Sequence, residues 1–126
     1  MAARLEHVNY TVTDPHATAA MLDRVFGWKI RWQGDSIHNG TSLHVGPEET
    51  YLALYASGSD PAAKPRSYWT LSGLNHVGVV VDDLDATEAR VKAEGLETHS
   101  HADYEPGRRF YFHDTDGIEY EAVQYD

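Results

Sequence analysis

Two histidines stand at matching points of an internal repeat. Leu5-Glu6-His7-Val8 recurs as Leu74-Asn75-His76-Val77. The offset continues through Val12 and Val81, Asp14 and Asp83, and Ala17-Thr18 and Ala86-Thr87. Neutral imidazole is the commonest metal ligand and the usual acid–base group near neutral pH, so a matched pair of histidines invites either chemistry. Near the C-terminus a second chemical cluster follows: Arg109, Tyr111 and His113 at alternate positions, then Glu121 in an otherwise apolar stretch. A guanidinium, a phenol and an imidazole spaced two apart share one face of a strand, and the carboxylate follows on the next one.

These residues need elements to carry them, and the repeat supplies the plan twice. Self-similarity at one long period in a short chain points to duplication. Each half reads strand, helix, then three strands. Residues 4–12 alternate with Val8, Tyr10 and Val12 on one side. Asp14-Pro15 starts a helix, because Asp can cap free N–H groups and Pro fits the first turn. Met21, Leu22, Val25 and Phe26 form its apolar stripe, and Gly27 stops it. Strands are expected at 28–32, 41–45 and 50–56. In the second half the strand is 74–81 and the helix 82–94, with Leu84 and Val91 inward and Gly95 closing it. Strands at 96–101, 108–113 and 118–125 follow. The chain thus divides into a βαβββ module over 1–57, a linker over 58–73 containing the Gly-, Ser- and Pro-rich run Ser57–Arg66, and a second module over 74–126.

Strand parity sorts the side chains. If the apolar set packs on the helices, the opposite face carries His7, Asn9 and Thr11; Ser42 and His44; Tyr51, Ala53 and Tyr55; His76, Gly78 and Val80; Arg109, Tyr111 and His113; and Glu119, Glu121 and Val123. A solvated sheet face is polar too, but it favours Lys and short polar residues. This one carries aromatics, Gly and histidines at strand centres. Two such sheets curving together would enclose a half-barrel cavity on which His7, His76 and Glu121 converge.

Composition narrows the rest. The chain has 126 residues, no cysteine, eight histidines and a net charge of −10. One compact domain or two very small halves fit that length. No disulfide framework is possible, which suits a reducing, cytoplasmic setting. The acidic balance argues against nucleic acid, where phosphates demand clustered Lys and Arg. No run approaches the roughly 20 apolar residues of a membrane span. The first residues, Met1-Ala2-Ala3-Arg4-Leu5, lack the apolar stretch of a signal peptide.

The two strand-helix-three-strand modules, the His in each first strand and the C-terminal Asp114-x-Asp116-Gly117-x-x-x-Glu121 resemble the vicinal oxygen chelate superfamily. Glyoxalase I, bleomycin-resistance proteins, fosfomycin-resistance thiol transferases, methylmalonyl-CoA epimerase and extradiol dioxygenases belong to it. The resemblance implies an α+β fold of tandem βαβββ modules, and a metal held from the first and last strands of each module. Those positions are His7, His76 and Glu121. The fourth falls on Ala53, which has no donor atom, where glyoxalase I and the epimerase usually carry Glu or Gln. Two histidines and one carboxylate suit Fe(II) or Mn(II), with Zn or Ni also able to bind, and leave positions open for substrate.

Extradiol-type ring cleavage is the leading activity so implied, because Phe110-Tyr111, Asp114, Gly117 and Glu121 follow that group's C-terminal pattern. Thr115 departs from it, since Pro is usual there. Tyr111 would hydrogen-bond bound oxygen atoms, and His113 or His101 would serve as general acid–base. Arg109 would pair with a substrate carboxylate or, equally, with Glu119. Asn9, Tyr55 and Trp32 would contact substrate. The alternatives are a glyoxalase I-like lyase or isomerase, a fosfomycin-type thiol transferase, and a non-catalytic binder stacking a flat ligand on Trp32, Tyr51, Tyr55 and Trp69. The fosfomycin pattern also expects a potassium loop, for which Tyr104-Glu105-Pro106-Gly107 offers no match. His44 is expected beside the cavity, whereas His16, His38 and His99 are expected only at the surface. Residues 33–40 and 101–108 are expected as loops shaping the pocket, and a homodimer as the assembly.

Overall fold

The computed structural model describes residues 2–62, 67–105 and 107–126. The chain divides into two units, Met1–Ala62 and Ala63–Asp126. Residues 63–66 of the expected linker lie outside the described residues.

In the first unit, β1 (His7–Thr11), α1 (Pro15–Phe26), β2 (Ile30–Ser36), a 3-10 turn (Ile37–Asn39), β3 (Gly40–Val45) and β4 (Tyr51–Ala56) follow in order. They form a four-stranded sheet in the order β1-β4-β3-β2, with β1 parallel to β4 and the other pairs antiparallel. The second unit opens with a 3-10 turn (Ser67–Trp69). Then come β5 (Val77–Val80), α2 (Leu84–Ala93), β6 (Thr98–Tyr104), β7 (Gly107–His113) and β8 (Glu119–Tyr125). Its sheet runs β5-β8-β7-β6, again with only the first and last strands parallel. The duplication read from the sequence is therefore a duplication of topology.

The helix ends follow from the residues that stand there. The Asp14 carboxylate accepts from the backbone N–H of His16 (3.1 Å) and Ala17 (3.3 Å), two donors a helix start would otherwise leave unpaired. Gly27 turns left-handed at φ 74° and its N–H reaches Asp23 O at 2.8 Å. Asp83 caps α2 through Ala86 N at 3.0 Å, and Gly95 has φ 80°. Leu22 and Val25 of α1 pack fully buried with Leu43, Val45 and Leu54 in the core of the first unit. In the second unit Val91 and Thr87 of α2 join Phe110, Phe112, Tyr120 and Ala122. Each such apolar side chain contributes about 1.5–3 kcal/mol on burial. The buried Thr87 hydroxyl is satisfied by Asp83 O at 2.8 Å.

Several boundaries differ from the expectation, among them β1, which is only His7–Thr11 of the expected 4–12. β2 and β6 begin two residues later and run into the segments expected as pocket loops, so 33–36 and 101–104 are strand. These stretches, QGDS and HADY, lack apolar alternation. They pair antiparallel with β3 and β7 as edge strands, where polar side chains are tolerated. The first strand of the second unit shortens to Val77–Val80, leaving His76 just before it.

Candidate functional site

In the second unit the face opposite α2 gathers the charged and aromatic residues that parity placed there. Tyr111 lies in register with Glu121, Arg109 with Val123 and His113 with Glu119. Gly78 of the parallel strand β5 faces Glu121 on its other side. Glu121, only 9% exposed, is thus flanked by both neighbours of the central strand β8. A cavity of about 330 Å³ opens beside it, lined by Gly78, Val80, Arg109, Glu121, Val123 and Tyr125, among others. A Cβ on Gly78 would meet nothing within 4 Å, so this wall is open space.

His76 Nε2 lies 3.2 Å from Glu121 Oε1. Its other nitrogen, Nδ1, lies 3.1 Å from the Tyr68 hydroxyl, which itself donates to Glu119 Oε1. A phenol has one proton, so Tyr68 gives it to Glu119 and accepts from His76 Nδ1–H. Burial, reinforced by Glu119, pushes the Tyr68 phenol up to about 12, which keeps that proton in place. His76 Nε2 is then left facing a carboxylate oxygen. Two lone-pair atoms at that separation need a cation between them, either a proton or a metal ion. Ligand atoms about 2.1 Å from a metal and at right angles to one another lie on the order of 3.0 Å apart, so the His76–Glu121 pair fits an ion without rearrangement. The tyrosine and glutamate behind the imidazole supply the outer hydrogen bond that orients ligating histidines.

Arg109 holds the other oxygen: its Nη1 lies 2.8 Å from Glu121 Oε2. Both side chains are 11% exposed, and the guanidinium lies 4.4 Å from the Tyr104 ring centroid. Arg109 Nε is buried without a hydrogen-bond partner among the described residues. The residue expected to pair with a substrate carboxylate, or with Glu119, is instead committed to Glu121. Tyr111 meets His76 edge-on at 5.6 Å. Burial, then the Glu121 charge, raises its phenol above the ordinary value, so it remains a hydrogen-bond donor at neutral pH.

β6 reverses the expectation for its two histidines. A bulge lies between His99 and Ala102, with Ser100 at φ 56°. A serine held there costs about 1 kcal/mol. The extra residue turns His101 toward α2, where its Nε2 pairs with Glu88 Oε2 at 2.6 Å. His101 therefore sits on the helix side of the sheet, paired with Glu88, whereas Glu121 lies on the opposite face. His99, expected only at the surface, pairs with Tyr111 across the sheet and touches His113 Nδ1 with its Nε2 at 3.1 Å. His113 Nε2 lies 3.3 Å from Glu119 Oε2. Tyr68 had no signal of its own in the sequence, since its element lies between the modules. A bulge likewise leaves no mark on simple alternation.

The first unit repeats the register with different chemistry. Ala53 faces Asn9 and His44 as Glu121 faces Gly78 and Tyr111, so Ala53 does hold the position equivalent to Glu121. In place of a carboxylate the face carries a run of rings. Trp32 tilts on His44 at 4.8 Å, His44 stacks on Tyr51 at 4.3 Å, and Tyr51 stacks on His7 at 4.8 Å. His7 Nδ1 is held by Glu6 Oε1 at 2.9 Å, which also accepts from Tyr51. Burial, then the neighbouring His7 and Arg31, lower the His44 pKa, so this ring is neutral at physiological pH. Asn9 is exposed on β1. Tyr55, expected against substrate, donates to Ile37 O at 2.8 Å and covers Gly40, which braces the β2–β3 turn.

The profile of the Glyoxalase/Bleomycin resistance protein/Dioxygenase superfamily matches residues 4–122. The chain belongs to this superfamily. Among solved structures, a glyoxylase/bleomycin resistance protein/dioxygenase domain from Frankia sp. EAN1pec superposes with a TM-score of 0.81 at 21% identity, covering 100% of both chains. A mutant of the fosfomycin resistance protein FosX from Listeria monocytogenes, complexed with Mn(II) and 1S,2S-dihydroxypropylphosphonic acid, gives 0.76 at 20% identity. That match covers 98% of this chain and 93% of the other. TnmS3, an antibiotic binding protein from Streptomyces sp. CB03234, gives 0.72 at 19%, covering 99% and 98%. No curated protein matches. The superfamily fold accounts for the two sheets and two helices; at these identities the likeness reaches no further. Among the described residues no helix is long and apolar enough to cross a membrane.

Proposed function

We propose that this superfamily member is a divalent-metal-dependent enzyme whose small-molecule substrate chelates the ion through two adjacent oxygens, with extradiol-type ring cleavage as the leading reaction. The observation that carries the reading is His76 Nε2 facing Glu121 Oε1 at 3.2 Å with its Nδ1 already committed. His76 and Glu121 are two of the ligands. His7, the matching residue of the first module, is the third, supplied by the same chain or by a second copy in a homodimer. Two imidazoles and a carboxylate suit Fe(II) or Mn(II) and also accept Zn or Ni. The bound ion would polarise the chelating oxygens and lower the pKa of a substrate hydroxyl.

The chain's own residues do the rest. Arg109 occupies Glu121 Oε2 and directs Oε1 toward His76. Tyr68 and Glu119 fix the His76 tautomer. Tyr111, held protonated, donates to a substrate oxygen. The open wall at Gly78 leaves room for the substrate body.

The test is reconstitution of metal-stripped protein with Fe(II), Mn(II), Zn(II) or Ni(II), followed by oxygen uptake with a catechol panel. The expected result is turnover with Fe(II) or Mn(II) that His76→Ala and Glu121→Gln abolish. Turnover of the methylglyoxal–glutathione adduct with Ni or Zn, or metal-dependent thiol addition to fosfomycin, would replace the reaction while keeping the site. Failure of every metal to bind at His76 would end the proposal.

A second reading has its own support. The run Trp32, His44, Tyr51 and His7 is a platform for a flat aromatic ligand, with Arg31 5.3 Å from the Tyr51 ring centroid. A non-catalytic binder built on it would retain its ligand in EDTA and in His76→Ala.

A further inference from the structure

We infer that His99, His113 and Glu119 form a second divalent-cation site in the second unit, distinct from the His76–Glu121 pair and suited to a borderline-soft ion such as Zn(II). The three residues each offer one ligand atom, and these atoms lie within 4.8 Å of one another. Bonds of about 2.1 Å in a tetrahedron place ligand atoms roughly 3.4 Å apart, so closing the site takes up to about 1.4 Å of movement. The imidazole of His113 is 47% exposed, which leaves room for the shift at the expense of its present contact with His99 Nε2. Two imidazoles and one carboxylate leave a fourth position for water, the donor set of open zinc sites.

Two of the three ligands, His99 and Glu119, have a partner behind them. His99 Nδ1 lies 2.9 Å from Ser100 Oγ, which can accept its proton and leave Nε2 as the donor atom. Glu119 Oε1 is held by Tyr68, leaving Oε2 toward His113. The His99 ring also stacks on Tyr111 at 6.2 Å and on His113 at 4.9 Å, which keeps it on this face. Outer partners of this kind are what separate a built metal site from a chance meeting of side chains. Without an ion the same groups form a chain of hydrogen bonds. Ser100 donates to His99 Nδ1 and His99 Nε2–H to His113 Nδ1, while His113 Nε2 faces Glu119 Oε2 at 3.3 Å. Ion entry replaces that chain, and each neutral ring still has one proton-free nitrogen to offer.

The bulge is the device that makes the cluster. A regular β6 would put His99 and His101 on one face together. Left-handed Ser100 separates them, sending His101 to Glu88 and His99 to His113.

The experiment is Zn(II) uptake by the full chain, stripped with EDTA and dialysed, read by equilibrium dialysis and by long-range ¹H–¹⁵N spectra of the histidine rings. The expected result is that His99→Gln/His113→Gln takes up one ion fewer than the wild type. In the His76→Ala variant, the His99 and His113 ring nitrogens should still shift on adding Zn(II). Equal uptake by wild type and the double variant, or His99 and His113 resonances that ignore Zn(II) in the wild type, would overturn the inference. The ring spectra use unaltered protein and decide the matter even if the double variant misfolds. If His76→Ala loses no ion while the double variant does, this site stands and the proposed catalytic centre falls.

Discussion

Replacing Tyr68 by Phe removes one oxygen atom and nothing else, and the structure says what that atom does. It accepts from His76 Nδ1 at 3.1 Å and donates to Glu119 Oε1. Loss of an outer partner of a ligating histidine typically weakens metal binding 10- to 100-fold, or about 1.4–2.8 kcal/mol. The effect on folding is smaller. Tyr68 is 50% exposed as a residue, but its hydroxyl meets a Glu119 side chain that is only 11% exposed, so the cost to stability is expected at about 1 kcal/mol, the net worth of one hydrogen bond. The two numbers separate a metal-orienting role from a merely structural one. The assay is Mn(II) titration by calorimetry in a His99→Gln/His113→Gln background, so that only the His76–Glu121 site is read, beside a urea melt of the same protein. A Mn(II) affinity within threefold of the parent, in a protein whose His76→Ala variant no longer binds, would refute the reasoning. A matching loss in both assays would also refute it, since it would make the hydroxyl a packing group.

Three further outcomes follow from single contacts. Asp114 accepts from Asp116 N and Ile118 N, both at 2.9 Å, and from Tyr120 OH at 3.2 Å; Asp114→Ala should cost about 2–4 kcal/mol by chemical denaturation. Burial raises the Asp114 pKa above its ordinary value, so the native state holds that proton more tightly than the unfolded chain. This contribution is therefore most favourable below the ordinary aspartate pKa and lost as pH rises through the raised one, and Asp114→Asn should flatten that slope in a pH series of melts. Glu88 runs the other way: burial raises its pKa, but Thr98, His101 and Lys92 together bring it below the ordinary value. Its contribution is present above that ordinary value and fades as pH falls through the lowered one; His101→Ala should weaken it by no more than about 1 kcal/mol and leave Mn(II) uptake unchanged. Gly117→Ala should cost about 1–2 kcal/mol through backbone strain alone, because φ is 84° and an added Cβ meets nothing within 4 Å.

Much of this was legible in the sequence because it is written in local rules. Asp14, Pro15 and Gly27 mark a helix wherever they occur in that order, and the second copy of the pattern at Asp83 and Gly95 confirms the duplication. Strand parity put Glu121, Tyr111, Arg109 and His76 on one side because side chains in a regular strand alternate. What parity could not reveal was where a strand stops being regular. One left-handed serine exchanged the surroundings of His99 and His101. Nor could it reveal Tyr68, which reaches His76 from a 3-10 turn with no periodicity, or the commitment of Arg109 to Glu121, since both residues share a face with several charged candidates. The edge strands β2 and β6 ran past their expected ends because hydrogen bonding to a neighbour, not their own composition, holds those residues extended.

The parallel pairing of first and last strands also sets the order of events during folding. His7 meets Tyr51, and Val77 meets Tyr120, only after the intervening helix and two strands have been made. Neither unit can close its sheet from a partial chain. Loop closure across more than 40 residues precedes any reward from these contacts, which makes this pairing slower to form than the antiparallel pairings of consecutive strands in each unit. On the ribosome β1 therefore waits as an unpaired, exposed strand until Tyr51–Ala56 has emerged, and β5 waits for Glu119–Tyr125. A chain cut short before Glu119 would lose Glu121 and at the same time leave Val77–Val80 with a bare edge, so such truncations are expected to aggregate rather than persist as inactive monomers.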